Sequence, residues 1–103
     1  MNRPWMPLYI ADYLRDTAHL SATESGAYLH LIMAYWVAGK LPDDDRALAR
    51  IARLTEKEWK TIRGVIAAFF QDGWRHKRID AELAKSIEIS SKRRASAMQK
   101  RSK

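Results

Sequence analysis

Two side chains, Thr55 and Glu58, constrain the fold more than any others in this sequence. They form a T-x-x-E capping box, in which a hydroxyl and a carboxylate satisfy the unpaired N–H groups that open a helix. The box arrives one residue after Leu54, so it separates a new helix from the one before it. That earlier helix begins at Asp43, Asp44 and Asp45, where carboxylates suit the positive end of a helix dipole. It carries an apolar face of Leu48, Ile51 and Ala52. In the second helix Trp59, Ile62, Ile66 and Phe69 recur at helical spacing and define the inward face. Asp72-Gly73 is then a turn signal, and Trp74 to Ile79 alternates as a short strand would. The stretch Leu41–Asp80 thus predicts helix, turn, helix and a basic hairpin. That order is a mainly α, winged helix-turn-helix with a short β-hairpin wing.

The remaining helices follow from similar signals. Ser21 and Glu24 form a second capping box, and the helix behind them carries Tyr28, Leu31, Ile32, Tyr35 and Trp36. It stops at Gly39, with Pro42 just beyond. This wide apolar face makes it the central helix. Gly26 in its first turns implies close packing against the N-terminal arm. That arm, Trp5 to Leu14, is aromatic and held extended at its start by prolines. It is expected to begin a helical turn that ends near Asp16 and to cover the core.

At 103 residues and 47% apolar content the chain has room for one modest core. It has no cysteine, which removes disulfide and thiolate chemistry and suits a reducing compartment. No apolar segment after Met1 marks a signal peptide, and no apolar run is long enough to span a bilayer. A bacterial host cytoplasm is the expected location, with no membrane partner.

The net charge of +7 is unevenly placed. Through Asp80 there are 12 Lys and Arg against 10 Asp and Glu; from Ala81 onward there are 7 against 2. A basic tail of this kind meets a polyanion, most often nucleic acid. The expected division is a winged-helix domain over 1–84 and a basic extension over 85–103, helical or disordered. Candidate nucleic-acid contacts form three groups. Arg46, Arg50 and Arg53 make a stripe opposite the Leu48/Ile51 face. Lys57, Lys60 and Thr61 share with Gly64 the outer side of the second helix, with Arg63 at its margin, where such a helix can enter the major groove. Arg75, Lys77 and Arg78 occupy the presumed wing with His76, and Lys92, Arg93 and Arg94 the tail. Gly64 would permit close backbone approach.

No catalytic constellation is visible, so an enzyme is not expected. His19, His30 and His76 lack metal-ligand spacing, and the acids Asp43–Asp45 read as a helix start. No Gly-rich phosphate loop or nucleophile–base pair is present, and no cofactor is implied.

The strings PLYIADYL, LSATESGAYLHLIMAYW, LPDDDRALARIARL and FFQDGWRHKRIDAELAK resemble the YdaU-type N-terminal domain of phage and prophage proteins, over about residues 4 to 85. That domain is similar to the winged-helix N-terminal domains of phage replisome organisers. The resemblance implies a winged-helix fold and a role in phage DNA replication initiation or its regulation. By position it implies contacts from Lys57, Lys60 and Arg63 and from Arg75 to Arg78, and it offers no catalytic residues. Many relatives continue into a second, larger domain, whereas this sequence ends at Lys103. The expected partner is double-stranded DNA, and a homodimer is left open. The alternative is a protein-interaction module: a replisome adaptor that meets a replication protein, or a small phage inhibitor of a host nucleic-acid-processing complex, such as an anti-CRISPR protein. An exposed aromatic patch around Trp5, Tyr9 or Trp74 would favour that alternative, and a continuous basic face would favour DNA.

Overall fold

The computed structural model describes the backbone of residues 5–101 and the side chains of residues 5–89, 92 and 93. Five helices follow in order: α1 (Ile10–Asp16), α2 (Ala22–Ala38), α3 (Asp45–Ile51), α4 (Glu56–Ala67) and α5 (Lys77–Arg101). Among the described residues, none of the helices is long and apolar enough to cross a membrane.

The helix starts are set by local chemistry. Both capping boxes close: Glu24 N–H donates to Ser21 Oγ and Ser21 N–H to Glu24 Oε1, and Thr55 and Glu58 repeat the exchange. Of the three acids at the start of α3, Asp44 is the N-cap, accepting from Ala47 N–H at 3.1 Å. Gly39 ends α2 with φ 87°, a conformation that glycine adopts without steric cost.

The core is built around α2, which packs on α3, α4 and α5, while α3 packs on α4. Tyr28, Leu31, Ile32, Tyr35 and Trp36 of α2 are buried with Leu48 of α3 and Trp59 and Ile66 of α4. Trp74, Ile79 and Leu83 close the core from the C-terminal side. α1 lies over α2: Tyr13 stacks on Tyr28 at 6.1 Å, and its hydroxyl lies 3.0 Å from Ser25 Oγ. The arm covers the core only in part. Met6 and Tyr13 pack against it, while Trp5 stays 74% exposed. Nor does Gly26 serve close packing, since a methyl group there would meet nothing within 4 Å.

The expected wing is not present: the described residues contain no strand. The Asp72-Gly73 turn does form, and Gln71 and Arg75 pair across it in a single antiparallel bridge with N···O distances of 2.7 and 3.3 Å. The chain then turns directly into α5. The alternation read over Trp74–Ile79 is overridden because Ile79 and Leu83, four apart, both bury on one helical face. Arg75 therefore sits in the bridge, His76 precedes the helix, and Lys77 and Arg78 belong to its first turn. α5 also runs without a break through the boundary expected at 84/85. At 25 residues it is roughly 37 Å long at 1.5 Å per residue.

Candidate nucleic-acid interface

The helix pair α3–α4 is fixed by one carboxylate. Asp45 Oδ1 accepts from Trp59 Nε1–H at 3.0 Å and from Arg63 Nε–H at 2.6 Å. These hydrogen bonds, from Trp59 first and Arg63 second, hold the Asp45 carboxyl below its ordinary range. The Arg63 guanidinium also lies 5.3 Å from the Trp74 ring centroid. Arg63 thus ties α4 to α3 and to the turn after α4, and its charge is matched within the fold.

Two further candidates are matched in the same way. Arg75 pairs with Asp80 at 2.9 Å and lies over the Tyr35 ring. Arg78 pairs with Asp12 at 2.8 Å and covers the Tyr9 ring at 4.6 Å, strapping the arm and α1 to α5. The Arg78 hydrogen bond keeps the Asp12 carboxyl low, and Asp12 in turn raises the guanidinium. Of the three cations assigned to a wing, only Lys77 is exposed without an ion pair to another described residue.

The other candidates on α3 and α4 behave differently. Arg46, Arg50, Arg53, Lys57 and Lys60 are exposed, and none makes an ion pair with a described residue. They run from the outer side of α3, across the turn at Arg53, into the first half of α4. The pairing of Glu56 with Lys60 allowed by their spacing is not made. Glu58 is committed to the capping box, where the Thr55 N–H keeps its carboxyl low. Thr61 is exposed and donates its hydroxyl proton to the Lys57 carbonyl at 3.1 Å. A Cβ on Gly64 would meet nothing within 4 Å, which leaves that backbone open to approach. On α5, Lys92 pairs with Glu88 at 3.3 Å and Arg93 is exposed, whereas the Arg94 side chain lies outside the described residues.

Sequence reasoning missed the residue that joins α5 to the body. His76 Nδ1 accepts from Ile79 N–H at 3.3 Å, and its Nε2 lies 2.9 Å from the Tyr28 hydroxyl. With Nδ1 accepting, the neutral ring carries its proton on Nε2 and donates to Tyr28. Burial lowers the His76 pKa from its ordinary value and pushes Tyr28 up to about 12. Nearby, Tyr35 donates to Asp80 at 2.5 Å and accepts from His76 N–H at 3.2 Å. A histidine preceding a helix start was the available signal, but a presumed strand hid it.

A family model described as "Protein of unknown function (DUF1376)" matches residues 4–84. The chain belongs to that family. It is also 48% identical over 95 residues to "Uncharacterized protein YdaU" of Escherichia coli (strain K12), a match covering 89% of this chain and 33% of the relative. The chain therefore spans about a third of that relative's length. No solved structure matches this DUF1376 chain.

Proposed function

We propose that this DUF1376 chain binds double-stranded DNA through α3 and α4, with α5 adding phosphate contacts, and acts in phage or prophage DNA replication initiation or its regulation. The observation that carries the reading is the set of five exposed cations, Arg46, Arg50, Arg53, Lys57 and Lys60, that make no ion pair with a described residue on the consecutive helices α3 and α4 and the turn between them. An internal network consumes Arg63, Arg75 and Arg78 and leaves these five for an external anion. Neutralising phosphates with such residues releases counterions, which makes affinity fall steeply with salt. The wing has no part in this reading.

A second reading rests on a separate observation. Trp5, Tyr9, Ile10 and Leu14 are exposed on the arm and α1, an apolar group that DNA would not use. In that reading the chain is a protein-interaction module, a replisome adaptor or an inhibitor of a host nucleic-acid enzyme. Fluorescence anisotropy of a labelled duplex, titrated with the full chain and a version ending at Lys85 at low and near-physiological salt, separates the two. DNA binding requires measurable affinity from both chains, weaker in the shorter one. No binding by either at near-physiological salt would move the function to a protein partner.

A further inference from the structure

We propose that Arg53 is a phosphate-contacting residue, retained at a backbone position where glycine would be less strained. The inference rests on the DNA-binding reading above and deepens it, assigning one of its five cations to the sugar–phosphate backbone beside the groove. α3 ends with Leu54 N–H bonded to Ala49 O at 2.9 Å and Arg53 N–H bonded to Arg50 O at 3.1 Å. This pair of bonds is the Schellman ending, whose first residue past the cap takes a left-handed conformation and is usually glycine. Arg53 takes it with φ 63°. A side chain there brings Cβ against the following carbonyl, a cost glycine avoids.

Among the described residues, one other non-glycine residue has positive φ: Trp74, at 58°. Its strain is offset by packing. Trp74 is 6% exposed and meets Trp59 at 5.7 Å, Phe70 at 5.4 Å and the Arg63 guanidinium at 5.3 Å. Arg53 has no such return. Its side chain is exposed and makes no ion pair, hydrogen bond or ring contact with another described residue. Strain that the fold does not use is a pointer to function.

Position indicates which function. Arg53 stands on the turn between Arg50, in the last turn of α3, and Lys57, in the first turn of α4. A residue there flanks the helix that would enter a groove and meets the sugar–phosphate backbone beside it, not the base edges. A guanidinium offers a planar fork that matches two phosphate oxygens.

The test compares wild type, Arg53→Gly, Arg53→Lys and a charge control, Arg15→Ala, by thermal unfolding and by duplex anisotropy over a salt series. Arg15 is on α1, which packs against neither α3 nor α4. Arg53→Gly is expected to raise Tm by roughly 3–6 °C. It should also weaken binding by about threefold or more, and the slope of log K against log salt should shrink by about one. Arg53→Lys should keep wild-type Tm and most of the affinity, and Arg15→Ala should stay within about twofold of wild type. If Arg53→Gly binds as wild type or loses no more than Arg15→Ala, Arg53 is not a contact, while duplex binding by wild type keeps the broader reading. A lower Tm in Arg53→Gly would remove the strain argument and overturn the proposal. Failure of wild type to bind any duplex would overturn both.

Discussion

Arg63 donates to Asp45 across the α3–α4 junction at 2.6 Å, and the same carboxylate oxygen satisfies the indole N–H of Trp59, a residue 1% exposed. The exposed ion pair itself contributes little. The buried indole is what makes the carboxylate matter, because a buried donor without a partner costs about 1–3 kcal/mol.

Asp45→Ala should therefore destabilise the chain by about 1–2 kcal/mol, and Asp45→Asn, which keeps an acceptor, by less than half of that. Urea unfolding checks this, with a lower midpoint and an unchanged m-value. The wild-type carboxyl is held below its ordinary pKa, so its contribution is present above the usual carboxylate range and is lost as pH falls below that range, through the lowered folded value. A midpoint for Asp45→Ala equal to wild type would assign the α3–α4 junction to apolar packing alone.

His76 gives the opposite case, a base that burial keeps neutral. Its folded pKa lies below its unfolded value, so the unfolded chain takes up protons first and stability falls as pH drops below about 6.5. Protonation would also place a hydrogen on Nδ1, where Ile79 N–H now donates, and a positive charge at the positive end of α5. Tm should decline between pH 7 and pH 5 in wild type. His76→Asn, which can cap but does not titrate, should flatten that decline, and His76→Ala should cost about 1 kcal/mol at pH 7. A pH profile shared by wild type and His76→Asn would show that another group is responsible.

Gly26 and Gly64 lie inside helices with open space where a Cβ would go. Gly26→Ala and Gly64→Ala should each stabilise the chain by about 0.5–1 kcal/mol, measured by denaturant unfolding. Their binding should differ: Gly64→Ala places a methyl group on the proposed DNA face and should weaken duplex affinity, while Gly26→Ala should not. Equal affinities would separate Gly64 from the interface.

What could be read from the sequence was what neighbouring residues decide. Ser21 with Glu24, Thr55 with Glu58 and Asp44 mark helix starts because capping acts over three residues, and Gly39 marks an end because its backbone is left-handed. The central apolar face of α2 followed from its spacing. The wing failed because a six-residue alternation from Trp74 to Ile79 fits a strand or a helix entry equally well, and packing of Ile79 and Leu83 chose the helix. The site was only half legible for a similar reason. Arg78 finds Asp12 across 66 residues and Arg63 finds Asp45 across 18, and nothing local distinguishes these arginines from Arg46 or Arg50.

The most direct test of the DNA-binding account is the salt dependence of duplex affinity for wild type and for a Lys57→Ala/Lys60→Ala double variant. Alanine is the better helix former at both positions, so lost binding cannot be ascribed to a lost helix. The five cations of α3 and α4 would contribute about −4.5 to the slope of log K against log salt, with α5 adding to it, and the double variant should reduce its magnitude by about two. Identical slopes in the two proteins would contradict the account and remove α4 from any nucleic-acid surface.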